Sequence, residues 1–138
     1  MPGSSGTPLV RKLGIRTGER VVAINAPPHY AVLLKGLPKG AVIVNGVNTG
    51  AEFIHLFVKT RDDLARCLTA LRKKLDDAGT LWVSWPKKSS GVATDVTEDM
   101  IRAVALPLGY VDVKVCAVDE TWSGLKLMIR CENRRSRK

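Results

Sequence analysis

Short runs of aliphatic and β-branched residues alternate along this chain with longer segments of helical period, and that alternation constrains the fold more than any other feature. Parallel strands need a crossover between them, usually a helix, so the pattern predicts βαβ units. Arg20-Val21-Val22-Ala23-Ile24-Asn25 is apolar on both faces, as a central strand covered by helices must be, and Thr17-Gly18-Glu19 forms the turn that leads into it. A short helix is predicted from His29 to Lys35, behind Pro27-Pro28. Ala41–Asn45, Phe53–Val58 and Thr80–Trp85 read as further strands, the second of these with His55 as a satisfied core histidine.

Between them, Thr60 caps a helix with Asp62 and Asp63 in its first turn, a stripe of Leu64, Cys67, Leu68, Leu71 and Leu75, and Arg72–Lys74 near its end before Gly79. Thr97 to Leu108 is a second amphipathic helix, disrupted by Pro107 and ended by Gly109. Val111–Val118 and Leu125–Cys131 have strand period and flank a polar turn. The expected fold is α/β, a mostly parallel sheet flanked by helices and closed by a C-terminal antiparallel hairpin.

At 138 residues this is one domain, predicted over residues 9–131, between a flexible Gly/Ser/Pro-rich segment (1–8) and a basic one (132–138). No apolar run approaches the roughly 18–20 residues of a membrane helix, and Met1–Gly6 has no signal-peptide pattern. The expectation is a cytoplasmic domain without a membrane partner. Cys67, Cys116 and Cys131 have no zinc spacing and read as small buried hydrophobes, and two histidines without a second ligand nearby make no metal site. The net charge of +9 suits an anionic partner, but Arg134, Arg135, Arg137 and Lys138 supply four of those charges, leaving +5. That run reads first as a solvated end and second as a nucleic-acid contact. Aromatics at 5% disfavour a stacking platform for single strands.

The order of elements, with Gly14-Ile15-Arg16-Thr17-Gly18-Glu19-Arg20-Val21-Val22 leading into the first strand, resembles the Rossmann-like architecture of class I methyltransferases. In that family a glycine-rich loop follows the first strand and an acidic residue follows the second to hold the cofactor ribose. Here the corresponding residues are Asn25-Ala26-Pro27-Pro28-His29-Tyr30 and Asn45. The resemblance therefore implies a methyltransferase-like protein with a degenerate cofactor site, and no cofactor is expected in the usual mode. Three longer strings, Phe53–Val58, Leu81–Gly91 and Val115–Leu125, are similar to an uncharacterised bacterial family known only as a domain of unknown function, which implies a fold and no activity.

Ligands of open α/β sheets bind beyond the carboxyl ends of the parallel strands. The loops Asn25–Tyr30, Asn45–Gly50, Lys59–Arg61 and Pro86–Asp95 should share that edge, joined by Asp119–Trp122 if the fifth strand is parallel to the others. Lys87, Lys88, Ser89, Ser90 and Gly91 combine two ammonium groups, two hydroxyls and a glycine, which suits a phosphate or carboxylate; the alternative is an ordinary polar loop. Asp119, Glu120 and Trp122 form a turn richer than a hairpin needs, able to stack on and hydrogen-bond a flat ligand; the alternative is a turn whose Trp122 covers the end of the core. Asn25 and His29 complete the candidate ligand-binding set, with His29 the more exposed base. The leading expectation is a small anionic or nucleotide-like ligand with catalysis unassigned, and the alternative is an interaction module for nucleic acid or an acidic protein.

Overall fold

The computed structural model describes residues 8–133; the segment 1–7 and the basic run 134–138 lie outside the described residues. Strands β1 (Arg20–Ile24), β2 (Val42–Val44), β3 (Ala51–Phe57), β4 (Leu75–Pro86), β5 (Tyr110–Ala117) and β6 (Trp122–Ile129) form one sheet in the order β2-β1-β3-β4-β6-β5. The first four are mutually parallel; β6 runs antiparallel to β4, and β5 antiparallel to β6. Two reversals make β5 parallel to β1–β4. Its carboxyl end, leading into Asp119, therefore lies on the same edge as theirs.

Helices α1 (Leu9–Leu13) and α2 (Tyr30–Leu33) cover one face of the sheet, and α3 (Arg61–Leu71) and α4 (Glu98–Ala105) cover the other. The α3/α4 layer packs Leu64, Leu68, Ile101 and Ala105 on Ile54, Leu56, Leu81, Val83, Leu125 and Leu127. The α1/α2 layer packs Leu13, Tyr30 and Leu34 on Val21, Phe53, Phe57 and Trp82. Trp82 is wholly buried, and its indole Nε1 donates to the Leu13 carbonyl at 3.0 Å, which satisfies the ring nitrogen and pins α1. The side chains of Thr60 and Thr97 accept from the backbone N–H of Asp63 and Met100 at 3.1 Å, so both long helices start at the expected caps. Among the described residues no helix is long and apolar enough to cross a membrane.

Several boundaries differ from the sequence reading, and helix α1 was not expected from it; three of the differences bear on the core. Helix α3 ends at Leu71, and Leu75 opens β4 instead of closing the helix stripe. The Lys74 carbonyl accepts from Gly50 and Ala51, drawing the chain into the sheet, where Leu75 buries against the same core opposite Ala51. Strand β6 begins at Trp122, so Gly124 lies inside the strand and does not end the turn. A Cβ there would stand 3.2 Å from the Trp82 ring and 3.3 Å from Val118, so close packing requires this glycine. Finally β6 stops at Ile129, which leaves Cys131 exposed and not buried as its alternation implied; Cys67 and Cys116 are half-buried.

Candidate functional site at the carboxyl edge of the sheet

The loop after β1 leaves the sheet through Asn25, which adopts a left-handed φ of 59°, a conformation asparagine tolerates better than most side chains. Its amide nitrogen donates to the Phe57 carbonyl at 3.5 Å. Pro27-Pro28 then turns the chain, with the Pro27 carbonyl accepting from Tyr30 at 3.0 Å, and α2 follows over the sheet. This brings the exposed His29 ring to Asp119 at the hairpin turn, with His29 Nε2 3.1 Å from Asp119 Oδ2. The first loop is therefore fastened at both ends.

Asp119 organises the hairpin turn. Its Oδ1 accepts from the backbone N–H groups of Thr121 and Trp122, each at 2.8 Å, and its Oδ2 faces His29. Burial pushes the carboxyl upward, but the His29 bond and the Trp122 and Thr121 amides outweigh it and hold Asp119 below the ordinary carboxylate range. Glu120 is exposed, and Trp122 is buried with its ring edge-on to Phe57 at 5.0 Å. The tryptophan covers the end of the core, so of the two readings of this turn the packing one describes its ring.

The lysine-rich loop adjoins that turn as expected, because Lys87 N–H donates to the Thr121 carbonyl at 2.7 Å. Lys88–Ser90 is a single 3-10 turn closed by Gly91 at a φ of 78°. The Ser90 hydroxyl donates to the Lys87 carbonyl at 2.7 Å and accepts from Val92 at 3.1 Å, so it serves the loop itself. Lys88, Ser89 and Gly91 are exposed, and neither Lys87 nor Lys88 has an ion-pair partner among the described residues. Beyond it, Thr94 Oγ1 donates to the Lys59 carbonyl and Asp95 accepts from Arg61 N–H, tying the loop to the start of α3.

On the other side of the Asn25–Tyr30 loop the edge opens into a cleft of about 620 Å³ lined by Ala23, Ile24, Asn25, Ala26, Pro27, Tyr30, Ala31, Ile43 and Asn45. Of the sequence-derived candidates only Asn25 lines it. Tyr30, Ile43 and Asn45 were legible only as helix, strand and family position, since nothing in their spacing says that α2 stands off β2. The cleft is apolar apart from two side-chain amides and the tyrosine. That hydroxyl is turned inward, 2.8 Å from His55 Nδ1, while His55 Nε2 lies 2.7 Å from Ser84 Oγ. The three groups form a buried polar chain between α2, β3 and β4. Burial pushes the His55 imidazole down to about 3, so it is neutral near pH 7 and pairs as donor at one nitrogen and acceptor at the other. His55 is thus a satisfied core group. Among the described residues no cluster of side chains suits a metal ion.

Several of the solved structures to which the chain is similar are described as methyltransferases. The chain is similar to a putative type 11 methyltransferase from Sulfolobus solfataricus, with a TM-score of 0.63 at 10% identity over 94% of each chain. It is equally similar to a SAM-dependent methyltransferase from Aquifex aeolicus, with a TM-score of 0.63 at 11% identity over 88% of this chain and 87% of that one. Fibrillarin from Aeropyrum pernix, solved with natively bound S-adenosyl-L-methionine, aligns at a TM-score of 0.53 and 12% identity over 92% of this chain and 71% of its own. At such identities the likeness establishes the Rossmann-like, methyltransferase-like fold. No protein-family model and no curated protein matches the chain.

Proposed function

We propose that this protein binds a small nucleotide-like ligand at the carboxyl edge of its sheet, through a methyltransferase-like site whose usual cofactor grip is degenerate. The observation that carries the reading is the cleft between the loops after β1 and β2, where open α/β sheets hold ligands. Its apolar walls suit a flat ring system, and the amides of Asn25 and Asn45 can donate to and accept from ring or ribose atoms. Lys87 and Lys88, with Ser89 and the glycine at 91, form the anion-recognising part of the same edge, and His29–Asp119 braces the loop between the two regions. Trp122 covers the core beneath that turn, and Glu120 stands exposed beside it, open to a ligand. Asn25 stands where the family has glycine, two prolines supply no N–H at positions 27 and 28, and Asn45 supplies no carboxylate for a ribose. These residues do not fit S-adenosylmethionine held in the family's manner. Similarity to the uncharacterised bacterial family belongs to the same reading.

The test is thermal stabilisation and calorimetry with S-adenosylmethionine, adenine and guanine nucleotides, and inorganic phosphate. A ligand that binds the native state alone raises the melting temperature. We expect a nucleotide to do so. Asn45→Leu should weaken every nucleoside-bearing ligand, while Lys87→Ala with Lys88→Ala should weaken only the phosphorylated ones, by roughly ten- to hundredfold if charge-assisted bonds are lost. Micromolar binding of S-adenosylmethionine would overturn the degenerate-site reading. No stabilisation by any of them would overturn the site.

A further inference from the structure

The α1/α2 face of the β5–β6 hairpin carries a second feature, distinct from the carboxyl edge. Lys114 and Lys126 are directly opposite each other in the antiparallel register and share this face. Arg16 and Lys12 border it from the α1 side, Lys12 with its Nζ 3.4 Å from the Ala117 carbonyl at the end of β5. The nearby carboxylate, Glu19, is buried and already engaged by the Arg16 side chain and backbone N–H. Among the described residues neither Lys114 nor Lys126 has a hydrogen-bond or ion-pair partner.

Like charges directly opposite on paired strands destabilise a sheet, so this pair needs a reason. Lysine on an edge strand discourages aggregation, and with the register irregularity between Asp112 and Lys114 that accounts for Lys114 on β5. It does not account for Lys126. That residue lies on β6, paired on both sides by β4 and β5, where no edge is open. Burial lowers the Lys126 ammonium below its ordinary range, and Lys114 and Arg16 lower it further. A half-buried cation among cations is stabilised when a polyanion supplies the missing charge.

We propose that Lys12, Arg16, Lys114 and Lys126 form a docking face for the phosphate backbone of a nucleic-acid duplex. Val111 and Met128 lie beside the lysine pair, and the Trp82 ring, across from Lys126 on β4, is wholly buried, so the face offers cations without a stacking platform. Such a face reads phosphates and not bases, which favours a duplex over a splayed single strand.

The experiment measures fluorescence anisotropy of a labelled 20-base-pair duplex with the full chain between 50 and 200 mM salt. Two variants are compared, Lys114→Gln with Lys126→Gln, and Lys59→Gln with Lys73→Gln, which removes the same charge beside α3. Both are made in a background with Arg134, Arg135, Arg137 and Lys138 changed to Gln, so that the basic C-terminal run does not contribute. We expect the hairpin variant to bind about ten- to sixtyfold more weakly near 0.1 M salt with a salt slope shallower by about 1.8, and the α3 variant to stay close to its parent. The hairpin variant should also melt no lower than its parent, since the lysine repulsion is relieved. Equal weakening in both variants, no duplex binding at 50 mM salt, or displacement of the duplex by an equal charge of polyglutamate would each overturn the proposal.

Discussion

The buried Tyr30–His55–Ser84 chain makes a sharp prediction about stability, because each member is satisfied only by the others. Replacing His55 with Leu roughly conserves volume but strands two hydroxyls, those of Tyr30 and Ser84, which now lie 2.8 and 2.7 Å from ring nitrogens. An unsatisfied buried polar group costs about 1–3 kcal/mol, so the single variant should lose about 2–6 kcal/mol. Replacing all three, Tyr30→Phe, His55→Leu and Ser84→Ala, removes the orphans along with the bonds, so the triple variant should be more stable than His55→Leu alone. Protonation attacks the same group. The folded pKa is about 3 against 6.5 in the unfolded chain, so below pH 6.5 the unfolded state takes up a proton that the folded state refuses. The stability from His55 is complete above pH 6.5 and falls by roughly 1.4 kcal/mol per unit as pH drops toward 3. At pH 5 that is about 2 kcal/mol. Urea unfolding followed by tryptophan fluorescence at pH 7 and pH 5 reads both effects, since titrating carboxylates contribute alike to parent and variant. The parent should lose about 2 kcal/mol more than His55→Leu between the two pH values. A triple variant no more stable than the single one, or equal acid losses in parent and variant, would refute this account of the chain.

Three further outcomes follow from the packing. Thr60→Ala should lower stability by about 1 kcal/mol through the lost cap on Asp63 N–H, measurable by urea unfolding, whereas Thr60→Ser should retain most of it. Gly124→Ala should cost about 1–3 kcal/mol because the new methyl meets the Trp82 ring and Val118; a loss smaller than a few tenths would show that the sheet yields there. Asp119→Ala removes the acceptor for Thr121 and Trp122 and the partner of His29, so hydrogen exchange of those two amides should accelerate while the β3–β4 ladder stays protected.

The sequence by itself determined the elements whose causes are local. Thr60 and Thr97 are followed by acids and an apolar stripe, and both cap helices; the double-faced apolar run after Arg20 becomes an inner strand, covered on both sides; the β-patterned runs around Asp119 form the antiparallel hairpin. These follow from periodicity and side-chain chemistry within one segment. It also brought together the lysine loop and the Asp119 turn, through the rule that parallel strands share a carboxyl edge.

Only the tertiary structure decided where competing local signals resolve. Leu75 satisfies a helix stripe and a strand equally well, and pairing with Ala51 settles it. Gly124 looks like a turn residue until the Trp82 ring is placed beneath it. The cleft beside Tyr30 and Asn45, and the cross-strand meeting of Lys114 with Lys126, depend on how elements distant in sequence stand in space. Spacing along the chain carries no such distance, because each is fixed by burial summed over the whole sheet.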